Sequence, residues 1–403
     1  MPSTQSIWQA AAPPTRSVPP PPTCDVAVVG AGIAGASAAL ALHEAAPGLR
    51  VHVFEARAPG FGATGRNAGF LLLGTSRDYA SAVDAVGRDR ARRLWAFTAE
   101  SARRVTQDAR LAAAGGELGG AVTAAGDAAE AERLTRSHAL LAEDGIATEL
   151  LTGDAVAART GMRGFPAALV APGGSVNSHA LTRAVLAASG APLTAGWRLA
   201  GVEADGGGVR LHAADGTEVR AGRAYLALGA YVTKVVASAA DVVRPVRAQM
   251  LATEPLPPLV HRPVYSHEGY FYLRTHPSGA LLLGGARHLH RDAEVGFEDA
   301  TTEPLQRDLE AYLARHVPAA AGARIARRWS GTMSFTADGL PVLADVPDVP
   351  GALWGGGFTG HGMGFSLRFG DLVARRLLGE PDADADLFDP TRSTLIPSAA
   401  PVA

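Results

Sequence analysis

The sequence predicts an α/β fold, with a glycine-bearing strand–helix–strand unit near its front and strand-rich α+β stretches further on. Three observations carry this. A short apolar strand, Asp25-Val26-Ala27-Val28-Val29, runs into Gly30-Ala31-Gly32-Ile33-Ala34-Gly35 and then an alanine-rich helix. Later stretches alternate between helical spacing and the period of two that marks a strand. Glycine is 47 of 403 residues, above the usual share of about 7%, which implies many tight turns and excludes a coiled coil, a collagen or a helical array.

Taken in order, residues 1–23 have no apolar run of signal-peptide length and carry the proline run Pro19 to Pro22. They are expected to form a disordered leader. The helix after Gly35 ends before Pro47-Gly48, and Val51-His52-Val53-Phe54 forms a second strand ending at Glu55. From Val86 to Ala114 the spacing is helical, with Leu94, Phe97, Ser101 and Val105 on one face. Ala128 to Glu143 gives another amphipathic helix ended by Gly145, and Ser178 to Ala188 a third, capped by Asn177 or Ser178. Val209 to Arg220 reads as a hairpin about Asp215-Gly216, followed by a buried strand, Ala224 to Leu228, closing at Gly229-Ala230. A further β-rich region spans Val246 to Gly285, Thr302 to Val317 is helical, and Gly357 to Leu378 is a glycine-rich turn feeding a last helix. The acidic tail from Gly379 is expected to be loosely held.

Composition narrows the function classes. The net charge is −2, so nothing draws the chain globally toward nucleic acid or an anionic membrane. No stretch approaches the ~18 apolar residues that span a bilayer. The single cysteine, Cys24, excludes a disulfide framework and a multi-cysteine metal site, and a reducing, cytoplasmic compartment is expected. Lys234 is the only lysine among the 37 basic residues.

The first motif carries the chemistry. Gly30 permits a tight strand-to-helix turn, Gly32 lets the backbone approach a pyrophosphate, and Gly35 lets helix and strand pack closely. The helix start offers free N–H groups to phosphates. Glu55, about 20 residues on, can accept hydrogen bonds from ribose hydroxyls. The unit is therefore Rossmann-like, although the motif leaves NAD and FAD both open.

Further segments follow: Gly60-Phe61-Gly62-Ala63-Thr64-Gly65-Arg66-Asn67-Ala68-Gly69, Gly173-Gly174-Ser175, Leu228-Gly229-Ala230, Trp329-Ser330-Gly331, Asp338-Gly339-Leu340-Pro341, and Gly357-Phe358-Thr359-Gly360-His361-Gly362-Met363-Gly364. In this order they resemble the D-amino-acid oxidase-like family of FAD-dependent oxidoreductases, which includes glycine oxidase, sarcosine oxidase and γ-glutamylputrescine oxidoreductase. The resemblance runs from about Asp25 to Leu378, and Thr64 to Asn67 with Gly360 to Gly362 is most like the γ-glutamylputrescine oxidoreductase branch.

The resemblance implies a Rossmann-like FAD-binding domain (24–85, 150–235 and 325–380) interwoven with a β-sheet-rich α+β substrate domain (86–149 and 236–324), and a tail at 381–403. Gly30, Gly32, Ile33, Ala34 and Gly35 would meet the pyrophosphate. Glu55, Ala56 and Arg57 would sit at the adenosine, with the Leu199 backbone at the adenine. Thr64, Gly65, Arg66, Asn67, Ala68 and Gly69 would run along the flavin ring and pyrophosphate, and Gly229 and Ala230 would lie against the nucleotide. Gly360, His361, Gly362 and Met363 would present N–H groups to the pyrimidine end. FAD is expected to be non-covalent, because Cys24 comes too early and Ala63-Thr64-Gly65 contains no histidine.

On the substrate side the resemblance implies a sheet roofing the flavin. Tyr270, Tyr272 and Arg274 alternate onto one strand face, and Arg287 and His361 are further candidates. The stretch Gly331 to Thr336 lacks the arginine with which glycine oxidase-like relatives clamp a carboxylate, which favours an amine or secondary amine over a simple α-amino acid. The implied activity is oxidation of a C–N bond by hydride transfer to flavin N5, giving an imine that hydrolyses. The expected partners are a small-molecule amine or amino-acid substrate and O2 or another electron acceptor. A hydroxy-acid dehydrogenase, an NAD(P)-dependent reductase and a non-catalytic nucleotide-binding protein are the alternatives.

Overall fold

Val26, Ala27, Val28 and Val29 are all buried, so the first strand, Thr23–Val29, is apolar on both faces, as a central parallel strand must be. In the computed structural model, which describes residues 4–395, it pairs in parallel with Val51–Glu55 on one side and Glu218–Leu226 on the other. The sheet order is Val342–Asp345, Ala352–Gly356, Glu218–Leu226, Thr23–Val29, Val51–Glu55, Leu193–Ala195, and an antiparallel pair, Leu199–Asp205 with Gly208–Ala213, extends from Glu218–Leu226. The chain leaves the first strand between two neighbours that continue in opposite directions across the sheet. Such a switch point opens a ligand crevice at the strand's carboxyl end.

Helices Ile33–Ala45, Arg88–Gln107, Ser178–Ala188 and Gly362–Leu378 cover one face, around a core that includes Leu40, Val53, Leu94, Phe97, Phe365 and Phe369. A second sheet runs Ile325–Phe335, Arg244–Thr253, Leu281–Gly285, Phe271–Thr275, Val264–Ser266, Ala121–Ala124, Ala167–Ala171, Glu149–Thr152. Helix Glu303–His316 packs on one of its faces through Leu305, Leu309 and Leu313. The opposite face presents Met250, Ala252, Leu282 and Trp329 to Ala68 and Phe70 of the first body. The sheet therefore roofs the crevice. Among the described residues no helix is long and apolar enough to cross a membrane.

Several expected boundaries change. Strands Glu149–Thr152, Ala167–Ala171 and Ile325–Phe335 belong to the second sheet, not the first. Arg88–Gln107 packs on the first body, where Ser101 Oγ donates to Phe365 O at 3.1 Å. Glu218–Leu226 is one continuous strand rather than a hairpin arm followed by a separate strand. Local periodicity sets where an element lies but not which partner covers it.

The described residues near both ends pack against the fold, contrary to the expectation of a disordered leader and a loosely held tail. Trp8, within helix Ile7–Ala10, is 3% exposed, so the leader from residue 4 onward docks rather than hanging free. In the tail Leu387 and Phe388 are fully buried, and Arg392 pairs with Asp338 at 2.6 Å. Residues 396–403 lie outside the described residues.

Candidate active site

The cradle after the first strand admits only glycine at two places. Gly30 has φ +108, and a Cβ there would lie 2.4 Å from Ala227 O. A Cβ on Gly35 would lie 1.9 Å from Gly30 O. Helix Ile33–Ala45 starts at Gly32, which has no side chain to cap it, so beyond the Ile33 N–H its first turn is left open to an anion. Ile33 N–H donates to Thr64 Oγ1 at 3.2 Å. The Glu55 carboxylate accepts from Ala31 N–H at 2.8 Å and Arg57 N–H at 2.9 Å, which fixes it at the crevice edge. Burial pushes its pKa up, against those backbone N–H groups. Leu199 is buried at the start of its strand, and Gly62 and Gly229 face open space where a side chain would stand.

Gly60 to Gly69 forms a tight loop around the single turn Ala63–Arg66. Asn67 staples it: its amide donates to Thr64 O at 2.9 Å while its Oδ1 accepts from Gly69 N–H at 2.7 Å. Arg66 is 6% exposed and donates to Phe61 O at 2.9 Å, Ser330 O at 2.7 Å and Asp299 at 2.8 Å. Its guanidinium therefore ties the loop to the roof. At the other end of the crevice Thr359 and Gly360 take φ +45 and +79, and helix Gly362–Leu378 begins behind His361 with no side-chain cap. A Cβ on Gly364 would lie 2.3 Å from Leu72 O, so this helix start is pressed against the strand that follows the loop.

Two uncapped helix starts, a carboxylate at the second strand's end and backbone approaches too close for any side chain suit an extended dinucleotide. Between roof and crevice lies a cavity of about 340 Å³, whose lining includes Tyr265, Tyr270, Tyr272, Arg287, Met333, Phe335 and His361. Tyr265 and Tyr272 stack with ring centres 5.8 Å apart, and the Tyr265 ring meets His361 at 5.7 Å. Burial pushes the Tyr272 phenol up to about 12. Arg287 lies 4.8 Å above the Phe335 ring and 5.5 Å from the Tyr270 ring, and no described carboxylate pairs with it. Burial draws its pKa below the ordinary arginine value. His361 Nδ1 faces Thr359 O at 3.2 Å, and burial lowers its pKa. The imidazole is thus neutral at neutral pH.

Arg274 departs from expectation. Its guanidinium donates to Ala68 O, Gly69 O and Val176 O at 3.3, 3.1 and 3.2 Å, and it does not line the cavity. Burial pulls its pKa down to about 10. The period of two puts Tyr272 and Arg274 on one face, but that face runs on past the cavity and over the Gly60 to Gly69 loop. Tyr265, Met333 and Phe335 were not singled out from the sequence. Tyr265 sits directly opposite Tyr272 across a strand pair, a register invisible until the pairing is known.

A second cleft, of about 460 Å³, lies on the far side of Arg66 and includes Arg57, Phe61, Tyr231, Lys234 and Phe297. Lys234 sits 4.0 Å above the Phe297 ring there, away from the substrate cavity.

A switch-point crevice built for a dinucleotide, roofed by a sheet that walls a small-molecule cavity, defines a flavin-type oxidoreductase. The chain belongs to the FAD-dependent oxidoreductase (DAO) family, whose family model matches residues 25–376. FAD is its cofactor. It is 28% identical over 396 residues to a probable oxidoreductase OrdL of Rhizobium meliloti, covering 93% of this chain and 88% of that protein. It is 28% identical over 386 residues to the γ-glutamylputrescine oxidoreductase of Escherichia coli, covering 91% and 85%. The fold superposes on L-proline dehydrogenase from P. horikoshii with a TM-score of 0.78 at 20% identity, covering 92% of this chain and 97% of that one. For glycine oxidase from Geobacillus kaustophilus the TM-score is 0.74 at 24% identity, covering 92% and 99%.

Proposed function

We propose that this oxidoreductase acts on the C–N bond of an amine or amino acid that also carries an anionic group, and gives an imine that water hydrolyses. Arg287 carries the reading: a cation without a carboxylate partner among the described residues, held between aromatic rings in the cavity. The names of relatives, γ-glutamylputrescine oxidoreductase and glycine oxidase, agree with such a substrate.

Gly30 to Gly35 would receive the pyrophosphate, Glu55 the ribose, and Thr64 to Gly69 the ring side of FAD. Gly360 to Met363 would face the pyrimidine end, where a helix start stabilises negative charge. Cys24 lies at the opposite end of its strand from the cradle, so the cofactor is held without a covalent bond to it. When bound, FAD supplies the two-electron acceptor for the substrate's hydride.

The protein's own residues bind, orient and move a proton. Arg287 anchors the anionic group, and Tyr265 and Tyr272 wall the reacting carbon away from bulk water. With Nδ1–H donated to Thr359 O, His361 keeps Nε2 as an acceptor that can take the proton of a substrate ammonium. A neutral amine is the form from which hydride leaves.

Anaerobic mixing of the FAD-loaded chain with a panel of amines, amino acids and hydroxy acids tests this by bleaching of the flavin band near about 450 nm. Carboxylate-bearing amines should bleach it, and Arg287→Met should raise their KM on the order of 100-fold while sparing uncharged amines. Bleaching by hydroxy acids alone, or a KM unmoved by Arg287→Met, would overturn the reading. Reoxidation by O2, compared with an artificial acceptor, separates an oxidase from a dehydrogenase.

A further inference from the structure

The leader docks where the cofactor loop turns outward. Ser6 caps the short helix Ile7–Ala10 in a reciprocal capping box with Gln9, so this turn has its own local reason to hold shape. Ser6 Oγ donates to Gly65 O, Trp8 Nε1 to Asn67 O at 2.8 Å, and Gln9 Nε2 to Phe61 O at 2.9 Å. Thr4 accepts from Arg66 through its carbonyl at 2.9 Å and its hydroxyl at 3.0 Å, and that hydroxyl also accepts from Ser330 N–H at 3.1 Å. Trp8 packs with Ala68, Phe70 and the roof residues Leu282 and Trp329. It also lies 5.8 Å from Arg274, the residue holding the next carbonyls of the same loop.

Three carbonyls of the loop, those of Phe61, Gly65 and Asn67, thus accept from Gln9, Ser6 and Trp8 of the leader. The described chain has no cis peptide, and across a trans peptide the next N–H points opposite to the C=O. Holding Phe61 O and Asn67 O on the leader turns Gly62 N–H and Ala68 N–H away from it, and Gly62 lines the second cleft beside Arg57 and Phe61. Residues 17 and 18 then follow the edge strand Leu193–Ala195, with Val18 N–H on Leu193 O at 2.9 Å. The leader is therefore anchored at both ends of its path.

We propose that residues 4–9 are a clasp belonging to the cofactor site, in which Ser6, Trp8 and Gln9 are positioning residues that fix the Gly60 to Gly69 loop around FAD and slow its release. This rests on the reading that the loop borders FAD. The cofactor enters against the loop's inner side, while the clasp holds the outer side, so opening the clasp loosens the wall without removing any group that touches the cofactor.

The test uses the full, FAD-loaded chain. FAD release after dilution is followed by the rise of free-flavin fluorescence, and the FAD-free forms are melted alongside. Trp8→Ala combined with Gln9→Ala should speed release at least ~10-fold, the scale of one or two lost hydrogen bonds. Trp8→Phe, which keeps the ring and loses the donor, should fall between. The double variant loses the buried Trp8 ring in both forms, so its FAD-free form melts lower as well, and the expected signature is a larger loss of stability in the FAD-loaded form than in the FAD-free form. An unchanged release rate overturns the clasp, and so does an equal loss of stability with and without FAD, which would make the leader a brace and nothing more. If the unaltered chain takes up no FAD, the reading beneath the proposal fails first, and that outcome is distinct from both.

Discussion

Arg274 and Arg287 stand toward opposite ends of one hairpin with the same charge and end in different roles. Arg274 is 6% exposed and spends its donors on three carbonyls of the cofactor loop and the strand beside it, whereas Arg287 stands over aromatic rings in the cavity. Hydrogen bonds from a charged donor are worth about 1.5–3 kcal/mol each, and buried carbonyls stripped of their donor lose more. Arg274→Met should therefore destabilise the chain by about 3 kcal/mol and lower its FAD content, measured by urea unfolding and flavin-to-protein ratio, while KM for anionic amines stays near the unaltered value. A selective rise in KM instead would return Arg274 to the substrate side. The cradle glycines were legible from sequence because a turn that excludes Cβ leaves only one residue type. The arginines were not, since alternation fixes a face and says nothing of what covers each end of it.

Helix placement shows the same division one scale up. Ala128–Glu143 and Ser178–Ala188 match the expected bounds, since caps such as Asn177 mark an end locally, its side chain accepting from Ala180 N–H at 3.0 Å. The partners of helix Gly362–Leu378 were not written locally. A Cβ on Gly370 would lie 2.5 Å from the Ser37 carbonyl carbon, so this helix and Ile33–Ala45 touch backbone to backbone. The contact fixes two helix starts relative to each other, one beside the pyrophosphate cradle and one beside the cavity. Gly370→Ala should force them apart at a cost of about 2–3 kcal/mol and reduce the fraction of chain purified with flavin. A stability loss with full flavin content would show that the two starts need not be held in register.

At the scale of the whole molecule, the two sheets, the leader and the tail enclose histidines that the sequence scatters without pattern. His52, His179, His267, His276, His288 and His316 all have pKa values lowered by burial, His267 to about 4. In the unfolded chain each would titrate near its ordinary value of about 6.5. Between that value and the folded one the unfolded state binds more protons, so stability rises with pH across the window and is lost as pH falls through it. The chain's thermal midpoint should hold above about pH 6.5 and decline toward about pH 4. His267 has φ +53, a conformation that asparagine tolerates, so His267→Asn removes the titrating ring without straining the turn. That variant should show a shallower decline over the same range in a series of melts. A slope identical to the unaltered chain would mean that His267 is protonated as readily folded as unfolded, and that its edge-on contacts with the Phe271 and Tyr312 rings open to water before the fold does.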